Sequence, residues 1–215
     1  MICYDEDFIL RQIEVGPMKN FTYFIGDKTT KEIGIVDPGW DIHEICSKLD
    51  KEQLKLKAVL LTHGHYDHAQ GLDELLSIYD VAAYISKYEL DALKPKHKNI
   101  VEIVDGHIIK IGNVDIKCIH TPGHTPGSQC FKADNILFTG DTLFINGCGR
   151  CDLPGSDPKQ MYHSLYDVIM KLPNTTLIYP GHKYSKLNYV DLGSQKQTNP
   201  YLTCKNLDEF LSTRM

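Results

Sequence analysis

Apolar and polar residues alternate with two distinct periods along this chain. The opening third carries three short apolar runs, FILRQIEV, FTYFIG and EIGIVDPG, each closed by a turn signal, which predicts strands of a meandering sheet. From Asp41 to Leu49 the period lengthens: Ile42, Ile45 and Leu49 recur at helical spacing, with Asp41 in the capping position. The run LKAVLLT then predicts a buried strand, and Leu72, Leu75 and Leu76 predict a helix over Asp67 to Ile78. A strand VAAYI, a short helix around Lys87 to Leu93 and the antiparallel segments NIVEIV, HIIKI and NVDIKCIH follow.

The second half repeats this logic. Strands QCFKA and ILFTG precede a helix from about Pro158 to Met170, built on Met161, Leu165, Val168 and Ile169, and a strand TTLIYP. Tyr162, Leu165, Tyr166 and Ile169 form a stripe on that helix expected to face the core. Each half supplies strands followed by helices, so the expected fold class is α/β: two mixed β-sheets packed face to face with helices on the outer faces. One domain over residues 1–215 is expected, with a polar, loop-rich tail from about Lys183 that ends in the apolar positions Leu207, Phe210 and Leu211.

Composition narrows the partners. The 215 residues carry a formal charge of −5, and Lys and Arg are scattered, which argues against a nucleic-acid partner. The start MICYDEDFILRQ lacks the basic and apolar regions of a signal or transit peptide, and no stretch approaches the roughly 20 apolar residues of a membrane span. A soluble, cytoplasmic protein is therefore expected, and its seven cysteines are read as reduced thiols. Cys148 and Cys151 form a C-x-x-C in GCGRCD, read as two thiols in a tight loop.

The candidate chemistry is concentrated. Four of the six positions from 63 to 68 can ligate a metal, His63, His65, Asp67 and His68, and they directly follow the apolar run LKAVLLT. Buried imidazole and carboxylate at that density need hydrogen-bond partners or a cation. Three further apolar strands end in a ligand: His124 in TPGHT, Asp141 in TGDT and His182 in YPGH. His63, His65 and His124 can form one set of nitrogens, Asp67, His68 and His182 a second, with Asp141 between two cations. Nitrogen and carboxylate donors suit Zn2+, Fe2+ or Mn2+. The other histidines, His43, His97, His107 and His163, are read as surface or packing residues, and His120, beside the TPGH turn, as a support for it.

These motifs, T-H-x-H-x-D-H at Thr62 to His68 followed in order by TPGHTPG, GDTLF and YPGH, resemble those of the metallo-β-lactamase fold superfamily. The resemblance implies an αββα sandwich with the site at the ends of its sheets and a metal set of His63, His65, Asp67, His68, His124, Asp141 and His182. Within that superfamily, the segments GCGRCDLPGSDPKQMYHSL and QKQTNPYL resemble the loop and tail of short glyoxalase II-like proteins (hydroxyacylglutathione hydrolases) and of the persulfide dioxygenases. The resemblance thus implies a thioester hydrolase of a small thiol, with two divalent ions, Zn2+ first, that acidify water, and with Asp67 and Asp141 as its catalytic carboxylates. The alternative is a persulfide dioxygenase with one Fe2+ on His63, His124 and Asp141. Arg150, Lys183 and Tyr184 are the candidate contacts to an anionic thiol substrate, and Asp37 is expected to orient the ligand region. The oligomeric state is left open, a homo-oligomer being compatible with the sequence.

Overall fold

The computed structural model describes residues 8–93 and 99–214. One six-stranded sheet has the order β1-β2-β3-β4-β5-β6: β1 Phe8–Val15, β2 Asn20–Asp27, β3 Glu32–Val36, β4 Lys55–Leu60, β5 Ala82–Ser86 and β6 Ile100–Ile103. Its first three strands form the expected antiparallel meander, and β3 to β6 run parallel. The second sheet starts from β7 Ile108–Ile111, β8 Val114–His120, β9 Gln129–Ala133 and β10 Ile136–Gly140. It is completed by β13 Leu177–Pro180 and β14 Val190–Asp191, and a two-stranded ribbon, β11 Leu143–Phe144 with β12 Gly147–Cys148, stands between β10 and β13 in the chain.

Side-chain alternation explains why the two sheets stack. In β4, Ala58 and Leu60 point to the inter-sheet core, while Val59 and the following Leu61 point to the helical face. Both faces of such a strand are buried, which is why it reads as a continuous apolar run. Tyr23, Ile25, Phe131, Phe138 and Tyr179 fill the space between the sheets. Outside the first sheet lie α1 Ile42–Glu52, α2 Tyr66–Ala69 and α3 Leu72–Ile78, with α4 Leu90–Leu93 at its edge. Outside the second lie α5 Pro158–His163, α6 Leu192–Thr198 and α7 Leu207–Arg214. The arrangement is the expected α/β, αββα sandwich.

Several local expectations are corrected. NIVEIV contributes β6, a parallel strand of the first sheet, rather than joining the antiparallel set that follows. The helix expected over Asp67 to Ile78 is two helices, because Gly71 lies against the Pro38 carbonyl and Ile42 and turns the chain between them. Asp41 does not cap α1: its φ is 55° and its carboxylate accepts from the Gly16 N–H instead. The helix from Pro158 ends its α-helical part at His163 and continues as a π turn over Ser164–Val168 and a 3-10 turn over Ile169–Lys171. The tail is more ordered than its polarity suggests, since β14 pairs with β13, and Phe210 on α7 is buried against Tyr162 of α5.

The inter-sheet layer depends on aromatic contacts, with Phe138 at 4.9 Å from the Tyr23 ring and 5.9 Å from that of Tyr179. Phe138→Ala is expected to lower unfolding stability by about 3–5 kcal/mol in denaturant titrations. A loss under about 1 kcal/mol would mean that the layer collapses around the cavity.

Candidate metal centre

All four ligand loops leave the C-terminal ends of strands: β4 leads to His63, β8 to His124, β10 to Asp141 and β13 to His182. The first strand belongs to one sheet and the other three to the second, so the ligands meet where the two sheets end side by side. The ligand atoms of His63, His65 and His124 lie within 4.8 Å of one another, as do those of Asp67, His68 and His182. Asp141 lies between the sets, with Oδ1 3.4 Å from His68 Nε2 and Oδ2 3.5 Å and 3.4 Å from His124 and His182 Nε2. A Cβ at Gly181 would come within 2.4 Å of Asp141 Oδ1 and 2.9 Å of His68, so His182 approaches this closely only because glycine precedes it.

Proton accounting shows which nitrogens are free to ligate. His124 Nδ1 lies 2.7 Å from the Arg150 carbonyl and His182 Nδ1 3.0 Å from the Met18 carbonyl, and a carbonyl can only accept. His68 Nδ1 donates to Asp37 Oδ2 at 3.0 Å. The Thr62 hydroxyl donates to Asp37 Oδ2, so His63 Nδ1, at 3.1 Å, donates to Thr62 Oγ1. Four imidazoles thus carry their proton on Nδ1 and present Nε2 lone pairs to one small volume. His68 and His182 Nε2 face each other at 3.1 Å, an arrangement that needs a proton or a cation between them. Among the described residues, His63 Nε2, His124 Nε2 and Asp141 Oδ1 are buried without any hydrogen-bond partner. Such orphaned acceptors fit a cation.

Titration behaviour follows from the crowding. Burial, with the neighbouring imidazoles, pushes His63 well below its ordinary range, and burial with His124 beside it brings His65 down to about 4. Burial also opposes charge on His182, but Asp141 and Asp67 outweigh it and lift this group to about 10. His68 is likewise raised against its burial by Asp141 and Asp37. Asp67 and Asp141, disfavoured by burial, are held below the carboxylate range by His182 and His68. Without a cation, a proton on His182 therefore occupies part of its place.

Asp37 has the orienting position expected of it: with φ at 51°, its carboxylate accepts from the Thr62 N–H, the Thr62 hydroxyl and His68. Asn20 is a site residue that the sequence does not single out. Buried at the start of β2, it donates from its amide to Asp67 Oδ2 at 2.9 Å and to the Asp67 carbonyl, while Trp40 Nε1 donates to its oxygen. Neither a motif nor a periodicity marks it, because its contacts span 47 residues. Glu89, buried between the loops of His63 and His124, is a second.

The ligands open onto a cleft of about 990 Å³ with an apolar wall that includes Met18, Tyr66, Phe144, Ile145 and Tyr184. Of the candidate substrate contacts, Tyr184 lines this cleft and stacks on the His182 ring, and Arg150 lines it while bound through two nitrogens to Asp152. The Lys183 ammonium instead pairs with Glu14. His120 donates to the Pro126 carbonyl and His163 pairs with Asp167 at the surface, consistent with supporting roles, and His97 lies outside the described residues. No helix among the described residues is long and apolar enough to cross a membrane.

Comparisons with known proteins bear on the family of the chain. The sequence profile described as "Metallo-beta-lactamase superfamily" matches residues 15–182. The "Probable polyketide biosynthesis zinc-dependent hydrolase BaeB" of Bacillus velezensis is 35% identical over 91% of this chain and 87% of its own length. The "Probable hydroxyacylglutathione hydrolase glo2" of Schizosaccharomyces pombe is 36% identical over 89% of this chain and 76% of its own. The mitochondrial persulfide dioxygenase ETHE1 of Mus musculus is 33% identical over 94% of this chain and 79% of its own.

Asp141 and Asp67 favour a proton on His182, lifting it to about 10, and a cation taken up there would displace that proton. Zn2+ binding to the metal-free protein is expected to release protons at pH 7, seen calorimetrically as an enthalpy that depends on the buffer. Apparent affinity should rise by about tenfold or more per pH unit from neutrality toward pH 9. A pH-independent affinity would show that His182 is not a ligand.

Proposed function

Because this chain belongs to the metallo-β-lactamase superfamily, we propose that it is a two-metal hydrolase that cleaves a thioester of a small thiol. The observation that carries this reading is the second ligand set. Asp67, His68 and His182 converge as completely as His63, His65 and His124, and Asp141 spans the two. His63, His65 and His124 would hold one divalent ion, Asp67, His68 and His182 the other, and Asp141 both. Zn2+ suits these donors, and Fe2+ or Mn2+ are accepted by the same set. Bound there, two such ions would acidify water toward a pKa of about 7 and polarise a carbonyl.

The protein's own groups then have distinct tasks. Asp141, besides holding the ions, would accept the proton lost by the attacking water through whichever carboxylate oxygen they leave free. Asp67 holds His182 in register and is itself fixed by Asn20. The departing thiolate is a stable anion and needs no general acid. Tyr184 and Arg150 lie where they would meet the substrate, and the apolar wall of the cleft would take its acyl part. Lys183, held by Glu14, is given no substrate role.

One observation favours a second reading, an iron-dependent persulfide dioxygenase. The three orphaned buried atoms belong to His63, His124 and Asp141, a two-histidine, one-carboxylate set of the kind that holds a single Fe2+ with open positions.

The two readings separate on oxygen. The zinc-loaded protein is expected to release thiol from a hydroxyacyl-glutathione thioester under argon. The iron-loaded protein given glutathione persulfide is expected to consume no O2 above an Asp141→Ala blank. Rapid O2 uptake lost in that variant would replace the hydrolase reading with the dioxygenase. His68→Ala is expected to lower thioester hydrolysis by about 100-fold or more, because it removes a ligand of the second ion. Retention of most hydrolytic activity in that variant would refute the two-metal assignment.

A further inference from the structure

We propose that Glu89 is a positioning residue that sets the His63/His65/His124 half of the centre by clamping its two ligand loops to one carboxylate. The inference rests on the two-metal reading of the site. Glu89 immediately precedes α4 and is 3% exposed, although nothing in its sequence surroundings marks it for burial. Its Oε2 accepts the Gly64 N–H at 2.9 Å, between His63 and His65 in the chain. Its Oε1 accepts the Gly127 N–H at 2.8 Å and the hydroxyl of Thr125, the residue after His124. One side chain therefore joins the loop after β4 to the loop after β8, across the boundary between the two sheets.

The glycines on both sides fit this role. A Cβ at Gly64 would stand 2.5 Å from Glu89 Oε2, and one at Gly127 2.5 Å from Glu89 Cγ. Each loop thus leaves out a side chain where the carboxylate passes. Hydrogen bonds to a buried carboxylate are about twice as strong as neutral ones and directional, so the clamp fixes how far the two loops stand apart. His65 has the most to gain, because none of the hydrogen bonds that orient the other four imidazoles is matched by one to its ring among those described. Asp67, His68 and His182 are held by a different group of partners, Asn20, Asp37 and the Met18 carbonyl. Asp37 also reaches His63 through Thr62, but the bonds of Glu89 go only to the loops that carry His63, His65 and His124, so its loss is expected to fall first on that half.

Glu89→Gln retains the shape of the side chain but turns one acceptor into a donor facing N–H groups. Glu89→Asp retains the charge and withdraws it by one methylene. Zn2+ is titrated into the full-length metal-free proteins against a chromophoric chelator, with Asp27→Ala as a control. Asp27 ties the Thr29–Thr30 turn to Asn113 at the far end of β2, so its loss lowers the melting temperature without touching the centre. Both Glu89 variants are expected to bind one of two Zn2+ ions about 10–100-fold more weakly and the other within about threefold of the parent. Unchanged affinity for both ions overturns the proposal. So does a parallel weakening of both ions, which would mark Glu89 as a general stabiliser. A parent protein that binds no Zn2+ would remove the two-metal reading itself.

Discussion

Five imidazoles and two carboxylates occupy one edge of this protein, and the rest of the structure depends on how that crowding is tolerated. Four of the imidazoles are gripped from behind, each donating its Nδ1 proton to a carbonyl, a carboxylate or a hydroxyl outside the cluster. That grip decides the tautomer and aims the opposite nitrogen inward, where lone pairs face one another at distances that favour a cation. The cluster is costly in its metal-free form, since it leaves buried acceptors without donors and raises a proton onto His182.

The sandwich supplies the rigidity this requires. Two sheets held by an aromatic layer present their strand ends side by side, and loops leaving those ends are short enough to inherit the stiffness of the strands. Cross-links then bind the strand ends within the first sheet and between the two sheets. Asp37, at the end of β3, holds Thr62 and His68, the Tyr23 hydroxyl reaches the Pro180 carbonyl two residues before His182, and Glu89 spans the remaining gap. Asp37, Tyr23 and Glu89 are acceptable so deep in the fold because each is hydrogen-bonded there. The same edge leaves a cleft beside the ligands, with Met18, Tyr66, Phe144, Ile145 and Tyr184 on its apolar wall.

Much of this was legible without coordinates. The change of period from two to about 3.6 marks most strands and helices, and the ligand run after LKAVLLT identifies the site, because packing alone does not account for four ligating side chains in six residues. The misread segments share a cause. The break at Gly71, the diversion of the Asp41 carboxylate from capping α1 and the parallel pairing of β6 are each set by a partner distant in sequence, Pro38, Gly16 or β5. The order of the tail is not evident from its polarity because its few apolar residues, among them Leu192 and Phe210, are buried by α5 and the second sheet.

By itself, the sequence determined two mixed sheets with helices on their outer faces and put forward seven candidate ligands, since the strand and helix periods and the runs THGHYDH, TPGHT, TGDT and YPGH are local patterns. Only the tertiary structure decided which nitrogen of each histidine faces inward, that Lys183 turns away to Glu14, and that Asn20 and Glu89 belong to the centre. Tautomer, pairing and clamp all depend on atoms brought within about 3 Å of each other from positions tens of residues apart. Such proximity is created by the packing of two sheets, and no local pattern encodes it.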